Sequence, residues 1–183
     1  MKKILLSSLF LLGLANLNAQ NIQYGIKGGL NFANVYGDNT ENIDMVTAFN
    51  FGAMAEIPFS EKFSFQPELL FSGAGFSIDE DVTALNYINL PLMGKYYITN
   101  RLSLEAGPQI GFLVSAKHED LDVKDAYNTV DFGLSAGLGY KLNNGLNFGV
   151  RYNYGLTDIN NIEGLSSKNN IGALQLSIGY FFN

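Results

Sequence analysis

His118 is the single histidine of the chain, in the run Lys117-His118-Glu119-Asp120, where an imidazole beside carboxylates has the makings of a general base for a hydrolase or acyltransferase. No serine is fixed beside it by spacing, and a catalytic triad is defined by geometry rather than sequence position. The acidic runs Asp79-Glu80-Asp81 and Glu119 to Asp125 offer carboxylate oxygens to a divalent cation, but they lack the regular ligand spacing of a calcium loop. They read as solvated loop charge, and neither metal nor cofactor is expected. Gly133, Gly137 and Gly139 imitate part of a phosphate-binding glycine pattern, yet no helix-forming segment follows them. With no cysteine, thiolate chemistry and disulfides are excluded. One set remains: Lys27, Lys95 and Arg151 against Glu56, Glu68 and Glu105, with Asp131 near one end. Such a set is either a pathway for ions or a proton, or a packed network of mutually neutralising charges.

The elements that position these seven residues are strands. Each charge falls on the small or polar side of a segment that alternates with a period of two, the strand period. Phe63 to Phe76 sends Phe65, Leu69 and Phe71 to one face and Gln66, Glu68 and Ser72 to the other. Tyr87 to Ile98 sets Ile88, Leu90, Leu92, Tyr96 and Ile98 against Asn89 and Lys95. Six further segments read the same way: Tyr24 to Val35, Ala48 to Phe59, Leu102 to Val114, Val130 to Tyr140, Leu146 to Tyr154 and Leu174 to Phe182. Across all eight, the apolar face carries no Asp, Glu, Lys, Arg or Gln. A lysine or arginine facing lipid at mid-depth costs about 2–4 kcal/mol, so eight clean stripes point to an outer-membrane barrel.

The connections agree. Longer polar segments follow the odd strands (Tyr36 to Val46, Asp79 to Asn86, Ala116 to Thr129, Leu156 to Asn170), and short turns follow the even ones, including the hairpin signal Asn144-Gly145. Aromatics gather toward both ends as girdles: Tyr24, Phe59, Phe63, Tyr96 and Tyr140 at one, Phe32, Phe49, Phe112, Phe132 and Tyr154 at the other. Pro58, Pro67, Pro91 and Pro108 fall within strands, where each removes a ladder donor. Bulges are expected there, toward the periplasmic half.

At the start, Lys2 and Lys3 precede the apolar run Ile4 to Leu14 and a small-residue site at Ala19, the pattern of a cleaved secretory signal. Two domains of unequal kind follow: a signal peptide over 1–19 and a barrel over 20–183. Losing two lysines leaves 9 basic residues against 17 acidic ones, so the formal charge passes from -6 to -8 and argues against a nucleic-acid partner. Charged residues make up 15% of the chain, below the roughly 25% of soluble domains.

An eight-stranded antiparallel up-and-down barrel is just wide enough for side chains to fill it. The charge set therefore reads as a structural network that fixes register, with no open pore, and Glu68 and Lys95 are expected to pair across neighbouring strands. The expected role is non-enzymatic: a monomer in outer-membrane lipid whose loops contact surface polymers or proteins. The competing reading is a secreted, soluble, lipocalin-like barrel with an apolar ligand inside. It demands the opposite orientation, apolar residues inward and Lys and Glu outward.

Tyr24-Gly-Ile-Lys-Gly-Gly-Leu-Asn-Phe32, Gln66-Pro-Glu-Leu-Leu-Phe71 with Gly75 after it, Tyr87 to Tyr97 (YINLPLMGKYY) and the ending Ile178-Gly-Tyr-Phe-Phe182 together resemble the PorT-like outer-membrane β-barrel family along nearly the whole mature chain. The resemblance implies an eight-stranded barrel in the outer membrane and supplies no catalytic residues. It also leaves open a part as an accessory component of an outer-membrane secretion system.

Overall fold

The computed structural model describes residues 22–38, 40, 43–78, 81–161 and 168–182. The proposed signal peptide and two members of the first acidic run, Asp79 and Glu80, lie outside them. Nine strands are present among the described residues: β1 (Gln23–Gly37), β2 (Ile43–Pro58), β3 (Phe63–Ile78), β4 (Asp81–Tyr97), β5 (Leu102–His118), β6 (Leu121–Asp122), β7 (Val130–Lys141), β8 (Leu146–Gly155) and β9 (Asn169–Phe182). Eight of them close a barrel in the order β4-β3-β2-β1-β9-β8-β7-β5, sealed by the β4–β5 pairing, while β6 only extends the end of β5. All pairings are antiparallel, and β1 meets β9 with Leu30 opposite Leu176. Closure pairs the backbone of every strand on both sides, the condition for crossing a bilayer with strands. No helix among the described residues is long and apolar enough to do so.

The period of two holds through the middle of the strands and slips only near the outer end. Phe49, Phe51, Leu69, Phe132 and Tyr180 are exposed, while Lys27, Glu56, Glu68, Lys95, Glu105 and Arg151 are buried. The soluble lipocalin-like reading is thereby reversed, because charges lie inside and the apolar stripes cover the outside. Large aromatics stand exposed at both ends of those stripes, Tyr24, Phe59 and Phe63 at one and Phe49, Phe112 and Phe132 at the other.

Three short turns hold one end. Ser60 Oγ accepts from the amides of Lys62 and Phe63, and Thr99 Oγ1 accepts from those of Arg101 and Leu102. In the third, the Gly145 amide donates to the Leu142 carbonyl and Gly145 takes φ +89°, the left-handed position of a bulged three-residue hairpin.

The opposite end departs from expectation. Much of Asp79 to Asn86 is strand, because β4 begins at Asp81, and β5 runs on to His118 instead of ending near Val114. His118 is therefore a strand residue. Likewise β2 begins at Ile43 and β9 at Asn169. Beyond the lipid both faces of a strand meet water, so alternation fades while pairing continues. Strands of 16 or 17 residues, as in β3, β4 and β5, exceed the roughly 9–11 that a bilayer needs. With tight turns at one end, the excess projects at the other.

The prolines are accommodated without bulges. The ladder lapses for two positions beside Pro67 (against β2), Pro91 (against β3) and Pro108 (against β4), and the register is the same on both sides of each lapse. Each residue of an antiparallel strand donates toward one neighbour only, so a proline costs bonds to that neighbour and leaves the other ladder intact. Pro58 closes β2 opposite Ser64. The actual shifts lie near the outer end, between Met45 and Asn50 and between Asn86 and Tyr87.

Candidate functional site in the barrel lumen

Side chains fill the lumen in two zones. The periplasmic half holds an alternating chain of charges that closure brings together from seven strands. Lys27 Nζ lies 3.2 Å from Glu68, which also receives both nitrogens of the Arg151 fork at 2.9 and 3.1 Å. Arg151 reaches Glu105 at 3.0 Å, Glu105 meets Lys95 at 3.2 Å, Lys95 meets Glu56 at 3.5 Å, and Glu56 meets Lys141 at 3.0 Å. Signs alternate over all seven members, so each glutamate sits between two cations. The bidentate guanidinium–carboxylate pair of Arg151 and Glu68 is the strongest form of this contact.

Glycine makes room for the chain. A Cβ on Gly139 would fall 2.2 Å from Glu105 Oε1, so the missing side chain is the space that the carboxylate fills.

Expectation and geometry differ in three places. Glu68 and Lys95 make no direct pair. Gln66 joins them, donating to Glu68 at 2.7 Å and accepting from Lys95 at 3.0 Å. Asp131 takes part in no ion pair among the described residues, and its Oδ1 is buried without a hydrogen bond. Lys141, absent from the sequence-derived set, ends the chain at the periplasmic mouth, 4.2 Å above the ring of the fully buried Phe181. Lys141 also donates to Gln23. Extending the period of two past Tyr140, and past Tyr180, would have turned both side chains inward.

Above the charges an asparagine cluster crosses the lumen. Asn31 donates to Ser72 and the Gly73 carbonyl, and its own oxygen accepts from Asn50 and Gln175 at 2.8 and 3.0 Å.

The outer zone is apolar. Leu85, Tyr87, Leu113 and Ala116 form a buried cluster, packed by Ala74, Val123, Tyr127 and Ile171. The segment between β5 and β7, which includes a 3-10 turn at Lys124–Ala126, folds over this plug. It is tied down by Asn128, whose side chain donates to the carbonyls of Asp158 and Asn160. Burial pushes the Tyr127 phenol above its ordinary range, against a hydrogen bond with Thr83 that lowers it.

His118 Nδ1 lies 3.0 Å from Thr83 Oγ1, a hydrogen bond between the paired ends of β4 and β5. Of the acids from Glu119 to Asp125, Asp122 accepts from the Lys124 amide. No group of three or more metal-ligating His, Cys, Asp or Glu side chains occurs among the described residues.

Residues 18–161 match the model of a family described as outer membrane protein beta-barrel domain. No curated protein matches the chain. Among solved structures it is similar to Neisserial surface protein A, with a TM-score of 0.57 and 14% identity over 87% of this chain and 97% of that one. It is also similar to Ail, the attachment invasion locus protein of Yersinia pestis, in complex with the heparin analogue sucrose octasulfate (TM-score 0.54, 16% identity, 88% of this chain and 99% of that one). OprG from Pseudomonas aeruginosa gives a TM-score of 0.50 at 16% identity, over 90% of this chain and 97% of that one. At such identities the likeness is one of fold.

Proposed function

Since this chain belongs to the outer membrane protein beta-barrel domain family and is an outer-membrane barrel, we propose that it acts without catalysis, as a closed monomer, through the surface its outer end presents. The observation that carries this reading is the double filling of the lumen, a charge chain below and an apolar plug above. Together, on this reading, the two zones deny an ion a continuous wet path through the barrel. On this reading Lys27, Glu56, Glu68, Lys95, Glu105 and Arg151 are structural, and they set strand register rather than move charge. The four sequence words shared with PorT-like barrels support that finer assignment, and residues 1–19 are the export signal removed before assembly.

The outer end carries Asp38, Asp44, Asp81, Glu119, Asp120, Asp122 and Asp125 against Lys117, Lys124 and Lys168. This acidic balance favours a basic protein surface as partner over a sulfated polymer, because like charge repels and opposite charge steers encounter. Ail was solved with a heparin analogue, and the present chain should differ from it in that respect. Purified protein should give no conductance steps in planar bilayers, should pass a heparin column unretained, and should be retained at low salt by an immobilised basic protein. Steady unitary currents would refute the closed lumen. Retention on heparin in place of the basic protein would refute the partner class.

A further inference from the structure

Between the two zones lies a cavity of about 40 Å³, room for roughly three water-sized particles. Asp131, Asn89, Gln109, Ser135 and Asn153 are among the groups lining it. Three of these have spare capacity. Asp131 Oδ1 is buried with no protein partner, Asn89 is about nine-tenths buried, and neither Asn89 nor Gln109 makes a side-chain hydrogen bond to another described residue. The backbone explains their convergence. Asn89 on β4 is opposite Gly111 on β5, which is opposite Asp131 on β7, so all three share one face at one level. A Cβ on Gly111 would fall 2.6 Å from Asn89 Oδ1 and 3.6 Å from Asp131 Cβ. The missing side chain is thus the space that the Asn89 oxygen occupies between its own strand and that of Asp131.

To stay ionised in this position a carboxylate needs a positive partner, since otherwise it takes up a proton. The charge chain cannot serve, since Lys27, Lys95 and Arg151 are each engaged by glutamates, and its surplus cation, Lys141, lies at the periplasmic mouth. Above is the apolar plug. We propose that this cavity is a cation site, in which the Asp131 carboxylate and the side-chain oxygens of Asn89 and Gln109 hold a monovalent cation such as sodium or potassium. Hard cations take oxygen ligands, amides can present their oxygen, and a single carboxylate among neutral oxygens balances one positive charge. The ion completes the filling of the lumen between plug and charge chain, and it makes the barrel's stability depend on which cation is present.

The test is thermal unfolding of the purified protein in detergent micelles, in sodium, potassium or choline chloride at one ionic strength. The midpoint should be higher by roughly 2–4 °C in sodium or potassium than in choline. That increment should vanish in Asp131→Asn, and in Gly111→Ala, whose new methyl displaces the Asn89 oxygen. Crystals of the unaltered protein soaked in thallium(I) should show anomalous density beside Asp131, which keeps the proposal testable even where a variant fails to fold. A midpoint indifferent to cation identity, an increment retained in Asp131→Asn, or a cavity without thallium would each overturn it.

Discussion

The two halves of the lumen fill the same narrow space by opposite means. In the periplasmic half the packing is ionic and conditional, because each member of the chain from Lys27 to Glu56 is buried on the strength of its neighbours. In the outer half Leu85, Tyr87, Leu113 and Ala116 need only shape. The difference lies in how each fails. Removing one ion strands another in a low-dielectric interior, whereas removing a methyl group leaves a gap that neighbours partly fill. The ionic half should be brittle and specific in register, the apolar half tolerant.

Arg151 is where the contrast is sharpest, since it serves Glu68 and Glu105 together. Arg151→Met should cost about 3–5 kcal/mol, read as a lower denaturant midpoint in lipid vesicles. Adding Glu68→Leu and Lys27→Met removes the rest of that end and leaves the balanced run Glu105, Lys95, Glu56 and Lys141. The triple variant should therefore regain much of the loss, and one that sums the single costs would show that the chain is not coupled.

A smaller effect is expected in the plug. Leu85→Ala should cost about 2–3 kcal/mol, the low end for a buried leucine, because the covering segment can settle into the gap. Planar bilayers should stay silent with this variant, as the charge chain still closes the lumen. Currents appearing on this change alone would mean that the plug is the sole seal.

Lys141→Met should matter least. The Lys141 side chain is 18% exposed at the mouth, so solvent screens its bond to Glu56, and methionine can keep contact with the Phe181 ring. A loss of about 0–1 kcal/mol is expected. A loss as large as that of Arg151→Met would erase the distinction between the buried and solvated ends of the chain.

Much of the barrel was legible in the chain itself. Alternation determines which face each residue takes, because the strand period is two regardless of what surrounds it, and it placed all seven candidate charges inward. Composition settled the environment of the opposite face, since lipid tolerates no charge on eight consecutive stripes. What only the tertiary structure decided is who meets whom. Glu68 reaches Lys27, 41 residues away, and Arg151, 83 residues away, through strand stagger and closure, and neither can be read from local spacing. A nearest-strand argument pairs Glu68 with Lys95, where the folded chain interposes Gln66. Strand ends were likewise hidden, because outside the bilayer the alternating signal fades before the hydrogen bonding does. The plug escaped notice for the same reason: Leu85, Leu113 and Ile171 carry the inward parity, but only the closed barrel shows that they meet above the charges and leave Asp131 between.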